Sequence, residues 1–214
     1  LNKNQYTTSE MYEVEKSIVE QAKEGKETQK AVFGQNQVQG FFKSKLEEGV
    51  IFTNGQKAAI ELVASSKDQI SLIQGDAGSG KTFAFSALRE LVENSGKDIK
   101  LIGLAPTGQA AKQLQEGSGI QSDTISSFLN QTTSQNPDSQ KIIIVDEAGM
   151  VGSKDMKLLF EKTQKMNAKL VLVGDSKQFQ SISAGRMFQD LQKVGVEKIE
   201  MMETQRQKTE YMKD

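Results

Sequence analysis

Met11, Val14, Ile18 and Ala22 recur at intervals of three and four behind the hydroxyl-rich run Thr7 to Ser9, the spacing of a helix with one apolar face and a side-chain cap. Gly25 to Thr28 breaks that pattern, and a second helix is expected over Val32–Leu46, ahead of Glu47, Glu48 and Gly49. Thr53 and Asn54 cap a third, Gly55–Ser65, with Ala58, Ala59, Leu62 and Val63 on its buried side. From Ile70 the rhythm changes to short apolar runs alternating with polar-faced helical stretches. The strands predicted are Ile70–Gln74, Ile99–Leu104, Ile142–Asp146, Leu170–Gly174 and Val196–Met201. Helices are predicted near Lys81–Glu93, Gly108–Glu116, Lys154–Lys165 and Ala184–Leu191. Alternation of this kind predicts an α/β fold, a mostly parallel sheet with helices on both sides, in which ligands bind beyond the carboxyl ends of the strands. The polar, low-complexity run Asn130–Ser139 reads as a surface loop.

The 214 residues suffice for one sizeable α/β domain, expected over residues 51–214, plus a small helical segment over 1–50, and are too few for two large lobes. With 27 basic and 28 acidic side chains the net charge is -1, so a surface for nucleic acid must be local rather than a global field. There is neither Cys nor His, which excludes disulfides, thiol or imidazole catalysis and Cys/His zinc sites, and leaves acid–base work to carboxylates. No apolar window is long enough for a membrane segment, and Leu1 to Gln5 lacks a hydrophobic targeting core, so a cytoplasmic location is expected. A start at Leu1 and a polar run before Asp214 are what a piece cut from a longer protein shows.

Gly75, Gly80, Lys81 and Thr82 complete the pattern G-x-x-x-x-G-K-[ST] directly after the apolar run Ile70–Ile73. A strand, a loop and a helix in that order aim the loop residues Gly75, Ala77, Gly78, Ser79 and Gly80 and a positive helix end at phosphate oxygens. Lys81 then reaches the β- and γ-phosphates of a nucleoside triphosphate, and the Thr82 hydroxyl ligates Mg²⁺. Asp146 and Glu147 close a buried strand, where Asp146 would hold Mg²⁺ and Glu147 would polarise the attacking water. The structural alternative is an acidic turn in which one carboxylate caps residues 149–153, and the phosphate loop tips the balance toward the metal. Gln178, past the next strand, carries an amide able to bond a γ-phosphate oxygen and the lytic water together, while Asp175 and Lys177 read equally well as a solvated turn. Arg206, after the last strand, could bring a guanidinium to the γ-phosphate; outside this ordered set it would read as a surface residue.

Further segments fall between these groups: Phe52–Ile60 around Gln56, Leu104–Lys112, Thr124–Leu129 with the spacing T-x-x-x-F, Gly174–Arg186 and Glu203–Gln207. Taken in order with the phosphate loop and the acidic pair, they resemble superfamily 1 helicases, specifically the RecD-like, 5′-to-3′ branch found in the helicase portion of TraI- and TrwC-type conjugative relaxases. The resemblance implies a RecA-like P-loop NTPase domain using ATP and Mg²⁺, with Gln56 recognising adenine. It also implies that Pro106, Thr107 and Lys112 contact the backbone of single-stranded DNA beside Thr124 and Phe128. Phe128 has a second reading, as a core anchor alongside Ile125 and Leu129. Departures from the pattern are Gly149 where Ser is usual, and Phe179 and Ser181 where Leu and Pro are common.

The family's later motifs, its relaxase histidines and its catalytic tyrosine do not occur in the sequence. The expectation is therefore a first motor lobe that alone hydrolyses ATP poorly and unwinds nothing. Its implied partners are DNA, a second RecA-like lobe and a relaxase domain of one parent chain. A nucleotide-dependent structural or DNA-binding module without turnover is the competing reading. A small-molecule kinase would leave the DNA-contact series and Gln178 unexplained.

Overall fold

The computed structural model describes residues 8–76, 78–132, 139–175 and 186–201. Six strands, β1 (Ile70–Gly75), β2 (Ile99–Ala105), β3 (Ser122–Thr124), β4 (Gln140–Val145), β5 (Lys169–Gly174) and β6 (Glu197–Met201), form one sheet in the order β3-β2-β4-β5-β1-β6. Every pairing in it is parallel, with Ile70 opposite Leu170 and Ile142 opposite Lys169. The helices are α1 (Ser9–Glu24), α2 (Gln35–Glu47), α3 (Asn54–Ser65), α4 (Lys81–Asn94), α5 (Gly108–Ser118), α6 (Ile125–Asn130), α7 (Ser153–Lys165) and α8 (Arg186–Lys193).

Successive strand residues point to opposite sides of the sheet, and both sides are covered, which is why the central strands read as unbroken apolar runs. Ile73, Ile142, Ile144, Val171 and Val173 pack with α2, α3, α4 and α5 in one core. Ile70, Leu72, Ile143, Val145, Leu170 and Leu172 pack with α1, α6, α7 and α8 in the other. Right-handed crossovers require the covering helix to change sides when the chain reverses direction across the sheet. The helices after β1 and β2 accordingly lie on one side, and those after β4 and β5 on the other. Between the neighbours β1 and β5 the chain therefore departs to opposite faces, which opens a crevice at the carboxyl end of the sheet.

Two features differ from the sequence pattern. Helix α2 begins at Gln35 rather than Val32, because the Val32 and Phe33 N–H groups both donate to the Ala64 carbonyl, each at 2.9 Å, and tie this segment in a bend against the end of α3. Gly34 caps the helix instead, its N–H accepted by Gln37 Oε1 at 3.1 Å. Strand β3 and helix α6 have no counterpart in the predicted elements, and α6 ends at Asn130, where the surface loop was expected to begin; residues 133–138 of that loop lie outside the described residues. Helices α1 and α2 sit on opposite sides of the sheet, Ile18 and Ala22 in one core and Val38, Phe41 and Phe42 in the other. Among the described residues no helix is long and apolar enough to cross a membrane.

Candidate functional site

Strand β1 delivers Gly75 to the rim of the sheet, and α4 starts six residues later at Lys81. Between them Gly78 and Gly80 adopt left-handed backbones, φ 80° and 83°, which glycine takes up without strain. Gly80 is required for space as well, because a Cβ there would overlap Gln56 Nε2. Lys81 Nζ donates to the carbonyls of Gly75 at 2.6 Å and Asp76 at 3.1 Å, so the ammonium is folded onto its own loop. Ser79 is buried, and its Oγ has no hydrogen-bond partner among the described residues. Thr82 follows in the first turn of α4, half-buried. Ala77 lies outside the described residues.

Gln56 sits in the first turn of α3. Thr53 Oγ1 accepts the Gln56 N–H at 3.2 Å, and Gln56 Oε1 accepts the Thr53 N–H at 3.0 Å, a reciprocal cap that the T-x-x-Q spacing encodes. The side chain is fully buried, and its Nε2 lies against Gly80 with no partner among the described residues. Gln56 therefore stands at the start of α3 beside the phosphate loop, with no exposed surface and its acceptor committed to the cap.

The acidic pair follows β4. Asp146 still extends the ladder, its N–H donating to the Leu104 carbonyl at 2.8 Å, and its Oδ1 accepts the Glu147 N–H at 2.9 Å. Glu147 has a left-handed backbone, φ 51°, uncommon for a side chain of its size, and its carbonyl accepts the Met150 N–H at 2.9 Å in a short 3-10 turn, Ala148–Met150. Helix α7 is capped by Gly152 without a side-chain bond, so neither carboxylate serves the capping role of the structural alternative. Burial raises the Asp146 carboxyl above its ordinary pKa, opposed by the Glu147 N–H and the Lys81 ammonium. Burial and the Asp146 charge raise Glu147 in turn, again opposed by Lys81. Lys81, at the start of the helix after β1, and the acids just past β4 thus share one electrostatic neighbourhood, although β5 lies between the two strands. Two acids pushed toward neutrality around one ammonium make a site suited to additional positive charge.

At the adjoining edge, β2 and β3 end side by side, with Ala105 opposite Thr124. Pro106 and Thr107 therefore emerge next to Thr124. Thr107 Oγ1 accepts the Ala110 N–H at 3.2 Å and Thr124 Oγ1 accepts the Ser127 N–H at 3.1 Å, so both hydroxyls cap helices. Lys112 is exposed one turn along α5 and pairs with Glu116 at 3.7 Å. Phe128 is only 5% exposed, packed in the core, with Lys162 Nζ 4.7 Å from its ring centre. A ring held in this way has the burial that the core-anchor reading expects. Asp123 was not singled out in the sequence: it accepts the Ser127 hydroxyl at 2.6 Å and the Thr124 N–H at 2.7 Å, contacts that lower its pKa. Its position directly before a capping Thr was the available signal. Gln178 and Arg206 lie outside the described residues, as does Lys177; Asp175 is buried.

Residues 52–214 match the protein family described as an AAA domain. The chain is 41% identical over 156 residues to the probable conjugal transfer protein TraA of Sinorhizobium fredii, an alignment spanning 71% of this chain and 14% of that protein. It is 32% identical over 185 residues to the multifunctional conjugation protein TraI of Escherichia coli K12, across 83% of this chain and 10% of that one. Over 141 residues it is 30% identical to the ATP-dependent RecD2 DNA helicase of Deinococcus radiodurans, across 61% and 19%. The chain thus spans less than a fifth of the length of these relatives. The UvsW helicase of bacteriophage T4 shares the fold, with a TM-score of 0.55 at 13% identity over 81% of this chain and 70% of that structure. The chain belongs to the AAA domain family and, within it, is a superfamily 1, RecD-like helicase region resembling that of TraI.

Proposed function

We propose that residues 51–214 are the first motor lobe of an ATP-driven, 5′-to-3′ DNA helicase and that residues 1–50 are its helical preface. The parent protein, cytoplasmic in this reading, would supply a second RecA-like lobe and a relaxase domain. The observation that carries the proposal is the electrostatic meeting of Lys81 with Asp146 and Glu147 at the carboxyl ends of β1 and β4. The residues also fit a magnesium nucleotide: left-handed glycines open the loop backbone, and buried Ser79 Oγ and Gln56 Nε2 stand unpaired among the described residues around it.

In this reading Lys81 exchanges its loop carbonyls for β- and γ-phosphate oxygens, while the N–H groups of Gly75, Ala77, Gly78, Ser79 and Gly80 surround the phosphates. Thr82 and Asp146 are the residues that would hold Mg²⁺, whose charge would offset that of the phosphates. The bound nucleotide supplies the phosphoryl group to be transferred and the metal charge that favours both ionised carboxylates. Glu147, whose raised pKa suits proton acceptance, orients and deprotonates water. Gln178 and Arg206 complete the γ-phosphate contacts. Pro106, Thr107, Lys112 and Thr124 position phosphates of single-stranded DNA without reading bases. Gln56 serves by bracing Gly80, since a direct adenine contact would require its amide to leave Thr53.

The test is ATP hydrolysis by the full-length parent with and without single-stranded DNA. DNA-stimulated turnover that Glu147→Gln abolishes, with nucleotide affinity retained, is the expected result. Nucleotide binding without any turnover in the intact parent would instead make the chain a binding module.

A further inference from the structure

Gly117 lies within helix α5, where glycine costs up to about 1 kcal/mol relative to alanine, so its presence calls for a packing reason. A Cβ at this position would overlap the Thr82 methyl group, whereas Thr82 Oγ1 stands 4.0 Å from the same point. The Thr82 methyl is thus turned toward α5, and its hydroxyl stands to the side. In a β-branched side chain the two groups rotate together, so displacing the methyl swings the hydroxyl to a different staggered position. Helix α5 is tied to α4 at this point. Arg89 of α4 donates from Nε to the Ser118 carbonyl at 3.2 Å, and a Cβ at Gly119 would in turn meet the Arg89 guanidinium.

We propose that Gly117 is a positioning residue for the magnesium-dependent step of nucleotide binding, its missing side chain setting the direction of the Thr82 hydroxyl. This rests on Thr82 acting as a metal ligand, as in the function proposed above. Gly117 belongs to no nucleotide-binding motif, and it acts from the helix that Thr107 caps.

Calorimetric titration of the chain with ATP, in Mg²⁺ and separately in EDTA, provides the test. Gly117→Ala should weaken binding in Mg²⁺ on the order of tenfold and leave binding in EDTA unchanged. In a Thr82→Ser background, where the methyl is gone and the hydroxyl kept, the same substitution should cost less than about twofold. An unchanged affinity in Mg²⁺, an equal loss in both media, or an undiminished loss in the Thr82→Ser background overturns the assignment. Should Gly117→Ala alone fail to fold, the doubly substituted chain is compared with Thr82→Ser, and its failure to fold or to match overturns the assignment too. Wild-type binding that ignores Mg²⁺ removes this inference and the metal role of Thr82 but leaves the nucleotide site, whereas no ATP binding in either medium removes the proposed nucleotide site as well.

Discussion

At Asp146 burial opposes the charged form, while the Glu147 N–H and the Lys81 ammonium favour it. The folded pKa of Asp146 lies above the unfolded value, so the group favours the folded state while protonated, and that contribution is lost as pH rises through the folded pKa. At neutral pH without metal, Asp146→Asn should therefore raise the melting temperature, by roughly 2–4 °C for a chain of this size, while removing the Mg²⁺-dependent part of ATP affinity. Thermal melts and titrations on the same sample check both halves. The positions of Lys81 and Thr82 at the start of α4 and of Asp146 and Glu147 just past β4 were legible in the sequence because fixed spacings follow apolar runs. The orientations of Gln56 and Phe128 were not, since a glutamine can cap or contact a base and a phenylalanine can fill a core or stack. The packing of α3 against the phosphate loop and of Lys162 over the ring depends on contacts between distant segments, which local spacing does not encode.

Among the elements, α6 is finished from outside: Lys162 of α7 donates to the carbonyls of Phe128 at 2.5 Å, Leu129 at 3.3 Å and Gln131 at 2.5 Å. A cation at the carbonyl end of a helix satisfies groups the helix cannot pair itself. Lys162→Met should lower unfolding free energy by about 1–3 kcal/mol in urea, through the orphaned carbonyls. At the amino end of the sheet, buried Lys169 of β5 donates to the Ser66 carbonyl, and Ser66 Oγ donates to Glu197 of β6 at 2.5 Å. Burial lowers the Lys169 pKa from 10.5 to about 8, so between these values the unfolded chain binds the extra proton and stability rises with pH. Lys169→Met should flatten that rise by up to about 3 kcal/mol, read from urea unfolding at pH 8 and pH 10. The main alternation of strands and helices was visible in the hydrophobic pattern, but β3 was not, because Ser122, Asp123 and Thr124 carry no apolar signal and are a strand only by pairing with β2. The start of α2 was hidden for a related reason: Val32 and Phe33 are apolar because they cover α3, and that packing has no period along the chain.

For the molecule as a whole, a net charge of -1 leaves DNA attraction to a few local cations. If Lys112 meets a phosphate as proposed, Lys112→Ala should weaken binding of a single-stranded oligonucleotide evenly across sequences and reduce the logarithmic salt slope by about 0.7. Fluorescence anisotropy over a range of salt concentrations measures this; an unaltered slope removes Lys112 from the contact set. The sheet's two borders carry a different consequence. One is β3, three polar residues long, and the other is β6, with Glu197, Lys198 and Glu200 along it and a 3.3 Å Lys198–Glu200 pair. Brief or charged borders give another chain's backbone little to zip onto, so crowding should not readily drive these molecules into fibrils through strand addition.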